Sequence, residues 1–239
     1  MGYSVQDIML RVESLNTFYG KAQILFDVSL DVDYEEVVVL LGRNGAGKTT
    51  TLKSIMGMVS SINGRIIFKG KPLDGLPPYK CCAQGLGYVP QNRRIFKRLT
   101  VLENLEAGRQ PPIKGYAAWT PDRLFDLFPN LAERRNHLAG LLSGGEQQML
   151  TIARTLMGNP ELIILDEPTE GLAPIIVNQL STTIQRLKSE GISILMAEQN
   201  LNFARTNCDR AYILYQGQIQ YQSPMAELSQ EAYERYCAL

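Results

Sequence analysis

The segment Gly42-Arg43-Asn44-Gly45-Ala46-Gly47-Lys48-Thr49 limits the possible folds more than any other part of the chain. It fits the pattern GxxxxGK[ST] and stands between an apolar run at 37–41 and a stretch where Leu52, Ile55, Met56 and Val59 recur at helical spacing. A run that is apolar without alternation predicts a strand buried on both faces, as in a parallel sheet. Glycines at a strand-to-helix turn let successive N–H groups and the helix N-terminus point at an anion. On this reading the ligand is a triphosphate, with Lys48 at its β- and γ-phosphates and Thr49 on Mg²⁺. Gly42, Arg43, Asn44, Gly45, Ala46, Gly47 and Thr50 complete the cradle. A glycine-rich turn without a ligand is the competing reading, and the strand–helix context weighs against it.

The rest of the chain is organised around this turn. Extended runs at 9–18 and 24–33 precede it, broken by Gly20 and by residues 33–36, and Asn63-Gly64 introduces a short strand at 65–69. From 92 to 159 the signals are mainly helical, interrupted by a Pro/Gly-rich loop at 110–115. Strands at 162–165, 192–197 and 211–215 then alternate with helices at 175–189, ended by Gly191, and at 201–206. Strands separated by helices of this length predict a mainly parallel sheet with right-handed crossovers. The expected division is a core from 1–91 and 159–239 with a helical subdomain, 92–158, inserted into it.

Composition excludes some partners. Lys+Arg 24 balances Asp+Glu 24, which leaves no general attraction to nucleic acid or acidic lipid. Cys81, Cys82, Cys208 and Cys237 lack metal-like spacing and His137 is the only histidine, so neither a disulfide framework nor a zinc site is expected, and a reducing compartment fits. The apolar stretches are far shorter than the roughly 20 residues of a membrane-spanning helix. The start, MGYSVQDIML, lacks the basic and apolar regions of a secretory signal, and Met1-Gly2 resembles a myristoylation start in form only.

Two further segments carry chemistry. Leu162-Ile163-Ile164-Leu165-Asp166-Glu167 is an apolar strand that ends in two acids, where a buried sheet delivers carboxylates to a ligand. Asp166 is expected to hold Mg²⁺ and Glu167 to polarise the attacking water. Leu142-Ser143-Gly144-Gly145-Glu146-Gln147-Gln148 opens a helix, and Ser143 with Glu146 makes an ordinary capping box. Two glycines in a first turn lose roughly 1 kcal/mol each relative to alanine. That cost suggests a close approach of backbone to another group, such as a phosphate met by Ser143 and the Gly144 and Gly145 amides.

LSGGEQQ between the glycine turn and an LIILDE strand resembles the signature of ABC-type ATPases. The resemblance covers essentially the whole chain. It implies a P-loop NTPase (RecA-like) α/β core with a mainly parallel sheet, an N-terminal antiparallel β subdomain and an inserted helical subdomain. It further implies that Tyr19 stacks on the adenine of ATP, that Gln91 links Mg²⁺ and the attacking water to the helical lobe, and that Ser143 to Glu146 of one subunit close over the ATP of a second. Gly171-Leu172-Ala173-Pro174 matches the segment along that dimer seam. GLAP, RRIFKRLTVLENL at 93–105 and the ending EAYERYCAL are similar to the LivF-type ATPases of branched-chain amino acid importers. Urea and amide importers are close relatives, and a soluble ABC ATPase acting on nucleic acid is a further alternative, although no coiled-coil insertion or basic arm is present.

One departure from the common pattern stands out. Most relatives carry a histidine after the strand that follows the catalytic glutamate, where this chain reads Met196-Ala197-Glu198-Gln199-Asn200. The resemblance implies that Gln199 meets the γ-phosphate, and a simpler reading makes it the cap of the next helix. The expected whole is a Mg-dependent ATPase coupled to transport, peripheral on the cytoplasmic face of a membrane through permease subunits, paired with a second ATPase subunit and served indirectly by a solute-binding protein.

Overall fold

The computed structural model describes residues 8–60, 62–112 and 117–237. The first residues, read above for a targeting signal, part of the loop at 110–115 and the last two residues lie outside that set. Strands β1 (Ile8–Tyr19), β2 (Ala22–Asp33), β4 (Ile62–Phe68) and β5 (Lys71–Pro72) form an antiparallel sheet in the order β2-β1-β4-β5. Its inward residues, among them Leu10, Val12, Leu15, Val28 and Leu30, are buried. This is the one-sided burial expected of antiparallel strands with a wet outer face.

Asn63-Gly64 does not precede the strand as read above; both residues lie inside β4. Gly64 has φ of 109°, and a Cβ there would stand 2.5 Å from the carbonyl oxygen of Ser14, beside a register shift in β1 between Glu13 and Asn16. The dipeptide thus serves a bulge. Asn-Gly suits any position that needs a left-handed backbone, and spacing alone does not tell a bulge from a turn.

The second sheet has six strands in the order β10-β9-β3-β8-β7-β6. These are β3 (Val37–Leu41), β6 (Leu86–Val89), β7 (Leu162–Asp166), β8 (Ser193–Glu198), β9 (Arg210–Tyr215) and β10 (Gln218–Pro224). All neighbouring pairs are parallel except β9 with β10. The unbroken apolar runs follow from burial on both faces. Val38, Leu40, Leu162 and Ile164 face a core shared with the antiparallel sheet and with helix α1 (Lys48–Ile55). Val37, Val39, Leu41, Ile163 and Leu165 face a second core built with α6 (Gly144–Leu156), α7 (Pro174–Ser189) and α8 (Leu201–Asn207).

Between β6 and β7 the chain runs through α3 (Val101–Ala107), α4 (Pro121–Leu127), α5 (Pro129–Glu133) and α6, whose apolar faces extend that second core. Helices α2 (Pro78–Ala83) and α9 (Gln230–Cys237), with strands β5, β6 and β10, were not anticipated from the sequence. Among the described residues no helix is long and apolar enough to cross a membrane.

Candidate active site

Strands β3, β8, β7 and β6 lie side by side and parallel, so their C-terminal ends share one edge. The register pairs Leu41 with Glu198, Asp166 with Ala197 and Val89 with Leu165. Within a few residues of those pairs the chain presents the glycine turn, Gln199, Glu167 and Gln91. The sheet, rather than any one loop, assembles them.

Gly47 precedes α1 with φ of 110° and no side-chain cap on the helix. A Cβ there would come within 2.7 Å of the Leu25 side chain, which leaves glycine as the fitting residue. The first N–H groups of the helix are accordingly free of capping side chains and directed into a cavity of about 390 Å³. Tyr19, Asn44, Gly45, Gly47, Lys48, Thr49, Thr50, Gln91 and Glu167 line it. Tyr19 is half exposed at its edge. Gly42 and Arg43 contribute carbonyl oxygens that accept from Lys48 Nζ at 2.8 and 3.1 Å, and Ala46 is buried beneath the turn. The uncapped helix start, the lysine and the polar lining together fit a polyphosphate.

Thr49 Oγ1 donates to Asp166 Oδ1 at 2.8 Å, and the Tyr88 hydroxyl donates to Asp166 Oδ2 at 2.9 Å. Burial pushes the Asp166 carboxyl above its ordinary range, and these hydrogen bonds only partly oppose it. Burial and the adjacent Asp166 likewise raise Tyr88. A hydroxyl and a carboxylate oxygen this close are hard donors of the kind Mg²⁺ takes, and the remaining positions of such an ion are commonly filled by water and phosphate. The donor set therefore fits Mg²⁺.

Glu167 has φ of 46°, a left-handed conformation costly for a residue with a side chain. The bend turns the chain off β7 and brings Glu167 Oε1 to 2.9 Å from Lys48 Nζ, with both side chains almost fully buried. Its other oxygen accepts from Gln91 Nε2 at 3.3 Å and from Gln199 Nε2 at 3.2 Å. Gln91 also donates to Glu170, and Gln199 to Asn44 Oδ1 at 2.8 Å. The helix-cap reading of Gln199 does not hold, because Asn200 caps α8 by accepting from the Phe203 amide at 3.1 Å. Tyr88, Glu170 and Glu198 belong to the site's hydrogen-bond network and were missed from the sequence, where no motif marks them.

Ser143, Gly144, Gly145 and Glu146 do not line this cavity. The capping box is fully formed: Ser143 Oγ accepts from the Glu146 amide and Glu146 Oε2 from the Ser143 amide. Burial would raise the Glu146 carboxyl, but hydrogen bonds from Ser143 and the charge of Arg134, 2.7 Å away, hold it below the ordinary range. A Cβ on Gly144 would meet the Arg93 guanidinium at 2.7 Å, and one on Gly145 would meet Ile176 at 2.7 Å. Within this chain these side chains are the nearest neighbours of the two glycines.

The sequence profile of the ABC transporter family matches residues 25–170. The chain is 45% identical over 211 residues to the high-affinity branched-chain amino acid transport ATP-binding protein BraG of Pseudomonas aeruginosa, covering 88% of this chain and 91% of that one. It is 36% identical over 231 residues to the probable branched-chain amino acid transport ATP-binding protein LivF of Archaeoglobus fulgidus, covering 96% and 98%. It is also 39% identical over 214 residues to the lipopolysaccharide export system ATP-binding protein LptB of Haemophilus influenzae, covering 88% of each. Among solved structures, a nucleotide-free ATP-binding cassette from an ABC transporter matches with a TM-score of 0.80 at 27% identity, covering 97% of this chain and 96% of that one. With a sheet edge that gathers a phosphate cradle, paired acids and two glutamines, the chain belongs to the ABC transporter family, as one of its ATP-hydrolysing subunits.

Proposed function

We propose that the chain energises import of branched-chain amino acids by hydrolysing Mg-ATP, seated on the cytoplasmic side of permease subunits and working as a dimer with a second ATPase subunit. The convergence of Lys48, Thr49, Asp166, Glu167, Gln91 and Gln199 on one sheet edge supports the chemistry. The likeness to BraG supports the solute class. In this reading residues 1–91 and 159–239 are the nucleotide-binding core, residues 92–158 are the helical lobe, Tyr19 stacks on adenine, and Ser143 to Glu146 face the nucleotide of the second subunit.

Thr49 and Asp166 would hold Mg²⁺, which neutralises phosphate charge when bound. Lys48 binds the β- and γ-phosphates, its ammonium group positioned by the carbonyls of Gly42 and Arg43 that accept from it. The Lys48–Glu167 pair gives the site an order of events. A phosphate that draws the Lys48 charge leaves Glu167 short of its neutralising partner, and its carboxylate then becomes a better acceptor for a proton of the attacking water. Gln91 and Gln199, both donors to Glu167 Oε2, orient that carboxylate. Gln91 also leads, through Arg93 against Gly144, to the start of α6, a route by which the site and the helical lobe feel each other.

The test is transport. The chain is reconstituted in vesicles with the membrane subunits that co-purify with it and a matching solute-binding protein, and uptake of labelled leucine, isoleucine and valine is measured. ATP-dependent uptake that Lys48→Ala abolishes supports the proposal. The likeness to LptB favours a second reading, an export cassette. ATP-dependent extrusion of lipid with no amino acid uptake would establish it and overturn import.

A further inference from the structure

We infer that Tyr233 and Glu198 are positioning residues for hydrolysis: they grip the Gln199 peptide from its two sides and thereby aim the Gln199 amide at Glu167. The inference rests on the proposed hydrolysis at Glu167 and adds the C-terminal helix to that site.

Glu198 ends β8 and is 2% exposed. One of its carboxylate oxygens accepts from the Gln199 amide at 3.0 Å and from the Asn200 amide at 3.3 Å. The other accepts from the Thr169 amide at 3.1 Å and from the Thr169 hydroxyl at 2.7 Å. Thr169 lies two residues beyond Glu167, so this one carboxylate ties the turn after Glu167 to the turn that carries Gln199. Burial of such a group would be costly without these donors, and its carboxyl remains raised by desolvation even with them.

On the far side of the same residue, the carbonyl oxygen of Gln199 accepts from the Tyr233 hydroxyl at 2.9 Å. Tyr233 stands on α9, which carries no fully buried residue. Its ring packs, partly buried, against the core on that side of the second sheet, and from there the hydroxyl reaches this carbonyl. The helix is nonetheless held: Tyr236 packs on Tyr215 with ring centroids 6.0 Å apart, and Arg205 of α8 donates to Gln230 Oε1 at 3.3 Å. At its end Cys237 packs against the same core, and burial pushes its thiol up.

With its N–H and its C=O both fixed, Gln199 loses main-chain freedom that would otherwise blur the aim of a long side chain. Its amide then spans from Asn44 Oδ1 at 2.8 Å to Glu167 Oε2 at 3.2 Å. A catalytic carboxylate needs its partners in place before reaction, and misplacement by about 1 Å is enough to slow a step substantially. The grip should therefore act on turnover more than on nucleotide binding.

The experiment is a double-mutant cycle on the full chain, with the kcat and KM of ATP hydrolysis measured for the parent, Tyr233→Phe, Gln199→Ala and the pair. Tyr233→Phe keeps the ring and removes the donor, so the melting temperature should stay near that of the parent. The expected result is a kcat about three- to tenfold lower with KM within about twofold, and less than a twofold further change when the substitution is added to Gln199→Ala. Parent-like kcat in Tyr233→Phe, or an equal loss in both backgrounds, overturns the grip. A parent without ATP turnover overturns the proposed function and this inference together, whereas an active parent matched by Tyr233→Phe overturns the inference alone.

Discussion

The chain builds two helix starts that contain glycines and finishes them in opposite ways. At α1 no side chain caps the helix, Gly47 adopts a backbone that side-chain-bearing residues rarely take, and the first N–H groups face a polar cavity. At α6 the Ser143–Glu146 box gives the Ser143 and Glu146 amides internal partners, and Arg134 neutralises the glutamate. A helix N-terminus attracts an anion in either case, but only the second of these two carries a capping side chain. One start is built as a site within this chain. The other is built as a stable surface that can act only on something brought to it, which matches a proposal in which it meets a second subunit's nucleotide.

Nucleotide titration of the dilute single chain gives the largest expected contrast. Lys48→Ala removes the charge from the cradle and leaves the buried Glu167 carboxylate without its cation. A charge-assisted contact to phosphate is worth about 1.5–3 kcal/mol, so ATP affinity should fall by about ten- to a hundredfold. Ser143→Ala should leave affinity within about twofold. A comparable loss in both variants would break the comparison, because it would make the α6 start part of the same chain's cradle.

Mixing gives a smaller effect that sharpens the same contrast. Ser143→Arg and Lys48→Ala are each expected to be inactive alone, since each spoils both composite sites of a homodimer. Together they should recover part of the turnover through a heterodimer with one intact site. Chain dimerisation is checked first by sedimentation; a mixture that dimerises and stays inactive argues that the two helix starts do not act on one nucleotide.

What the sequence revealed divides along similar lines. The cradle was legible because the glycines, lysine and threonine must occur at fixed spacing, and because the flanking strand is apolar on both faces. The short strand β6 was not, since its second residue is Gly87; a Cβ there would stand 2.7 Å from Thr155 and 3.1 Å from Pro160, a packing demand that no local pattern displays. Strand β10 was also missed. It is a largely polar strand at the sheet edge, and its Gln216-Gly217 turn, with φ of 47° and 77°, suits a tight hairpin although Gln-Gly is not a marked turn dipeptide. Gln199 was read from its place after β8, but Tyr88, Glu198 and Tyr233 reach the site through contacts between distant elements. Such contacts leave no spacing to detect.

Stability gives the smallest predicted effects, and here the two regions should differ in sign. Ser143→Ala removes a cap and should destabilise the fold by about 1 kcal/mol, a drop of about 2–4 °C in melting temperature for a chain of this size. Asp166 lies beside the cradle, and burial holds its carboxyl above the ordinary value. The folded chain therefore binds that proton more tightly than the unfolded chain does, and the charged form costs folding free energy once the pH exceeds the raised value. Asp166→Asn removes the charge while keeping one acceptor for the Thr49 hydroxyl, and its amide can donate to the Tyr88 oxygen. At pH 8 the variant should melt above the parent. Lowering the pH toward the ordinary carboxylate range protonates the parent in both states and should erase the gain. Thermal melts across that range settle the sign: an Asp166→Asn variant that melts below the parent at pH 8 would show that its two hydrogen bonds outweigh the burial of charge, and that the acidic side of the cradle is as self-satisfied as the start of α6.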